Sequence, residues 1–96
     1  MKNLSKFQNK NPKNKEEKLI VELIKNLDEV THAFLQLNHK GNITQEMFVI
    51  LRDASIGYAG AMVRDLAKLI DDQNQQMLFL DEAKEIYNCY IEDLKE

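Results

Sequence analysis

Tryptophan is absent from this chain, cysteine and proline occur once each and glycine three times. So few breakers in 96 residues argue against a sandwich or barrel, whose many tight turns would need them. A single cysteine, Cys89, has no partner within the chain, so no internal disulfide is expected and the reading is indifferent to an oxidising compartment. No apolar run approaches the roughly eighteen residues needed to span a bilayer, and the N-terminal residues lack the apolar core of a secretion signal. A cytoplasmic location is therefore expected. What the chain does have is 44% hydrophobic and 30% charged residues, a mix suited to one all-α domain of helices with a wet and a dry face.

Charge is unevenly placed. Residues 1–15 hold Lys2, Lys6, Lys10, Lys13 and Lys15 and no acid, leaving eight basic against sixteen acidic residues in 16–96, a net of −8. Leu4 and Phe7 are the only sizeable apolar side chains of that stretch after Met1, too few to offset ordering. We read 1–15 as a flexible basic arm and 16–96 as a helical bundle domain. The arm is a candidate contact for an anionic membrane surface or another partner through Lys2, Lys6, Phe7, Lys10, Lys13 and Lys15. The acidic body argues against nucleic acid.

From Glu16 onward Ile20, Leu23, Leu27, Val30, Phe34 and Leu37 recur at alternating threes and fours, the seam of an amphipathic helix. Leu19, Ile24 and Leu35 widen it, as for a helix touching two neighbours. Glu16 and Glu17 suit its first turn, and Asn38-His39-Lys40-Gly41 supplies a cationic last turn with a glycine stop. A second helical pattern starts at Thr44, a good N-cap, with Met47, Leu51, Ala54, Tyr58, Met62, Leu66 and Leu69 on one face. Its centre, Ala54-Ser55-Ile56-Gly57-Tyr58-Ala59-Gly60-Ala61, is rich in small residues, and each glycine costs about 0.8–1 kcal/mol against alanine in a helix. Gly57 and Gly60 therefore mark either a helix break or a place of close packing. Beyond them Asp71 to Gln76 reads as a helix end, Met77-Leu78-Phe79-Leu80 as a buried linker, and Asp81 as the cap of a last helix carrying Ala83, Tyr87, Tyr90 and Leu94.

Lengths weigh on the break. At 1.5 Å per residue the first helix spans roughly 34 Å, an unbroken Thr44–Asn74 helix roughly 46 Å and the last only about 24 Å. A turn at Gly57–Gly60 converts this mismatch into an antiparallel bundle of four similar helices, the architecture we expect. The alternative is three helices with a long central one, its excess surface covered by dimerisation.

Chemistry is sparse. His32 shares a helical face with Asp28 and Glu29 but falls on the solvent side of the seam, so it reads as a surface residue rather than a metal ligand. Cys89 sits among tyrosines and acids, which does not suggest a lowered thiol pKa. Arg52 and Arg64 are expected to pair with nearby acids, and Tyr58, Tyr87 and Tyr90 to edge the core with wet hydroxyls. We expect no enzyme, cofactor or metal site.

The basic leader MKNLSKF, EEKLIVELIKNL as first helix and MVRDLAKLI…LFLDEAKEIYNCYIEDL as the closing pair together resemble the immunity proteins of pediocin-like (class IIa) bacteriocins. That resemblance implies an antiparallel four-helix bundle in the cytoplasm of a producer cell, protecting it by engaging a bacteriocin-occupied membrane receptor, with no cofactor. This chain departs from the family in stopping at Glu96 within helical pattern, where the family carries an extension that selects the cognate toxin. The alternative is a homo-oligomeric adaptor or small phage- or plasmid-type regulator acting through protein contacts.

Overall fold

The structure, a computed structural model, describes residues 11–41 and 43–95. Among them are three helices and no strand: α1 (Lys15–His39), α2 (Gln45–Ala67) and α3 (Gln73–Lys95).

Each boundary follows from side-chain chemistry. Asn14, in extended conformation, caps α1 by accepting a 2.9 Å hydrogen bond from the Glu17 N–H, while the Glu17 carboxylate accepts one of 2.6 Å from the Lys13 N–H. The first bond satisfies a donor that a bare helix end leaves open, and the second ties the residue before the cap to the first turn. At the far end Gly41 takes φ +68°, a left-handed conformation that glycine adopts without strain, and its N–H returns to the Asn38 carbonyl at 3.2 Å. Thr44 Oγ1 caps α2 by accepting from the Met47 N–H at 3.2 Å. Asp72 Oδ1 does the same for α3, accepting from the Gln75 N–H at 3.0 Å. The Gln76 side chain reaches back across that turn and donates to the Ala67 carbonyl at 2.8 Å, satisfying an acceptor at the end of α2.

Short turns make consecutive helices antiparallel, so α1 and α3 run the same way. The α1–α3 pairing is the most extensive, and α2 packs more loosely on both. Side chains buried in the core show the same division. From α1 come Ile20, Leu23, Ile24, Leu27 and Phe34, and from α3 Phe79, Ala83, Ile86, Cys89, Tyr90 and Leu94. From α2 itself only Ala59 and Ala67 are buried, with Ile70 just beyond its end. Thr31 is buried too, its hydroxyl donating to the Leu27 carbonyl at 2.8 Å.

Among the described residues the helices are three and not the four expected. α2 passes unbroken through Gly57 and Gly60, neither of which has positive φ. The length mismatch that favoured a break is removed elsewhere: the chain turns at Lys68–Asp72, and the polar run after it opens α3 instead of ending α2. The helices consequently match at 25, 23 and 23 residues. The expected cap at Asp81 gives way to Asp72, and Met77 to Leu80 are helical rather than a linker, with Phe79 alone buried among them. Lys15, assigned to the arm, is the first residue of α1. Leu37, expected in the seam, is largely exposed at the α1 end.

Candidate functional site

α2 is the element whose placement the sequence left least certain, and its two sides differ in what they touch. On the inner side Phe48 stacks at a tilt on Phe34 of α1, ring centroids 5.0 Å apart, and the Arg52 guanidinium lies 5.9 Å above the Phe48 ring. Tyr90 and Tyr87 of α3 donate their hydroxyls to backbone carbonyls of Ser55 and Ile56 at 3.1 and 3.4 Å. These carbonyls also serve the helix, so the tyrosines fasten α2 at its small-residue centre without interrupting it. A side chain at Gly60 would place its Cβ 3.8 Å from the Tyr87 hydroxyl, an ordinary contact. Tyr90 is fully buried rather than wet, and burial pushes its phenol pKa up to about 12, opposed by the Ser55 side chain, whose hydroxyl can donate to the phenolate.

The outer side is largely exposed. Ile50 is 65% exposed, Met47 48% and Tyr58 45%, and Ala54 and Gly57 are exposed between them. A side chain at Gly57 would meet no atom within 4 Å. The face read from the sequence as buried is therefore largely the wrong one: Met47, Ala54, Tyr58 and Leu69 are exposed, Leu51, Met62 and Leu66 half-buried. The buried direction lies about one residue further round, through Phe48, Ile56, Ala59, Val63 and Ala67. A helix apolar on most of its circumference is normally covered on most of it. Shallow grooves flank this outer side, one lined by Gly60, Val63, Leu80 and Ala83, the other by Tyr58, Ala61, Met62 and Leu66.

Other candidate residues gather no chemistry. His32 is exposed and 3.8 Å from Asp28, one turn back. Cys89 is buried with a free thiol. Arg52 and Arg64 each lie 3.7 Å from the neighbouring acid, Asp53 and Asp65. Among the described residues no group of three His, Cys, Asp or Glu side chains could hold a metal ion, and no helix is long and apolar enough to cross a membrane. Of the basic arm, Lys13 and Lys15 are exposed beside the α1 cap, while Lys2, Lys6, Phe7 and Lys10 lie outside the described residues. No family model matches the chain, and no match is found among curated proteins or among solved structures.

Proposed function

We propose that this chain is a non-enzymatic helical module that works through protein–protein contact at the outward face of α2. The observation that carries the proposal is Ile50, the most exposed large apolar side chain among the described residues, in the second turn of α2 and on the same side as Met47, Ala54 and Gly57. Such a residue alone is ordinary on a surface, but a run of apolar residues on an element already packed on its other side describes a contact face. A photo-reactive side chain placed at Ala54 of the full chain in living cells should give a protein adduct, and one placed at exposed Glu22 on α1 should not. Equal yields at both positions, or none at Ala54, would overturn the proposal.

The bacteriocin-immunity reading is a special case of the same module, with a toxin-occupied membrane receptor as partner and the protein at the inner face of the membrane. Exposed Lys13 and Lys15 at one end of α1 supply the cationic side such a location would use. Its own test is survival: sensitive cells expressing the chain should resist at least one pediocin-like bacteriocin of a panel, and uniform killing would reject it.

A further inference from the structure

Seven positions of α2 and its C-cap, Glu46, Ile50, Asp53, Gly57, Ala61, Arg64 and Lys68, are spaced four, three, four, four, three and four apart. At about 100° per residue they fall within one narrow sector of the helix, and that sector is the outward one: all are exposed except half-buried Ala61. Their spacing reads the same from either end, with Gly57 at its centre. Their chemistry does not, because the first half carries the acids Glu46 and Asp53, and the second the bases Arg64 and Lys68. Asp65, at the edge of the sector, is the one acid in the basic half.

A surface of this kind is complementary to itself turned end for end. From these positions we infer that the outward face of α2 binds a second copy of this chain, antiparallel, about a twofold axis at Gly57; the inference rests on the contact-face reading above. Glu46 then stands opposite Lys68 of the second copy, and Arg64 opposite Ile50 and within a turn of Asp53. A parallel pair would instead set acids on acids and bases on bases. Where the axes come closest, Gly57 meets Gly57, and a residue whose missing side chain leaves unused space within its own chain acquires a reason to be glycine. The 3.7 Å contacts of exposed Asp53 with half-buried Arg52 and of exposed Arg64 with exposed Asp65 are long surface pairs, so they hold Asp53 and Arg64 weakly and leave them available to a partner. Isologous pairing of this type closes on itself and yields a dimer rather than a filament.

The test uses sedimentation equilibrium of the full chain at roughly 100 μM, where a small interface with a micromolar dissociation constant is populated. The native protein should be dimeric. Glu46→Lys with Asp53→Lys makes the face wholly basic but for Asp65, and Arg64→Glu with Lys68→Glu makes it wholly acidic. Each variant should associate at least tenfold more weakly than the native chain, and an equimolar mixture of the two should recover dimers containing one copy of each. Circular dichroism melts establish that both are folded, and Ile50→Glu gives the same loss of dimer if either is not. A native chain monomeric at this concentration, or variants that dimerise as it does, would overturn the inference. A monomer that still forms the Ala54 adduct with some other protein would overturn the second copy alone, whereas loss of both would remove the contact face itself.

Discussion

Tyr90 combines a fully buried ring with a hydroxyl committed to the Ser55 carbonyl at 3.1 Å. Its phenol titrates at about 12 in the fold against 10.0 ordinarily. Because the folded value is the higher, the neutral phenol's contribution to stability is complete below pH 10 and is lost as pH rises from there through about 12. Tyr90→Phe should lower stability at neutral pH by about 0.5–1.5 kcal/mol, the net worth of one hydrogen bond, and reduce the alkaline decline. Urea unfolding of both proteins at neutral and strongly alkaline pH measures the two effects. Equal pH dependence in native protein and variant would mean that the alkaline limit is set by another group.

At the scale of the element, α2 and the turn before it make opposite demands on glycine. Gly57→Ala adds a methyl that meets nothing within 4 Å in the chain and should stabilise the monomer by about 0.8–1 kcal/mol through helix propensity. Gly41→Ala, at φ +68°, should destabilise by about 1 kcal/mol, since an L side chain is strained there. Thermal melts at dilute concentration separate them, and a destabilising Gly57→Ala would mean that the helix is not continuous. The helical starts at Thr44 and Glu16–Glu17 and the stop at Gly41 could be read from the sequence because a polar cap or a glycine there adjoins a clear apolar period. α1 was legible for the same reason, since Glu22 and Lys25–Asn26 interrupt the apolar residues between Ile20, Leu23 and Leu27. α2 was not: Met47 to Leu51 are five apolar residues in succession, so several phases fit equally and only packing selects one. The beginning of α3 was hidden by Asp71–Gln76, which holds no apolar residue to set a period, while Asp81 looked as good a cap as Asp72. The glycine-centred stretch was visible as a peculiarity, but Ile50, Asp53 and Lys68 became part of a surface only once the buried direction was known.

Taken as a whole, the molecule is a well-packed α1–α3 pair with a third helix laid against it, 45 Å in its longest dimension. The boundary of the folded unit lies earlier than the charge pattern suggested. Removing residues 1–15 takes away the Asn14 cap and the first residue of α1, and should cost about 1 kcal/mol, or roughly 4–8 °C in Tm for a domain of this size. Asn14→Ala in the full chain should reproduce most of that loss, and an unchanged Tm in both would show that the cap contributes nothing. The pairing of α1 with α3 also bears on how the chain comes off the ribosome. The most extensive partner of α1, which carries Leu23 and Leu27, is made after α2, and α2 gives the core only Ala59 and Ala67 as fully buried side chains, with Phe48, Ile56 and Val63 half-buried. The nascent chain must therefore carry part of the apolar face of α1 uncovered until α3 has cleared the exit tunnel, and it is in that interval, rather than in the finished fold, that this protein is most exposed to aggregation and most in need of a chaperone.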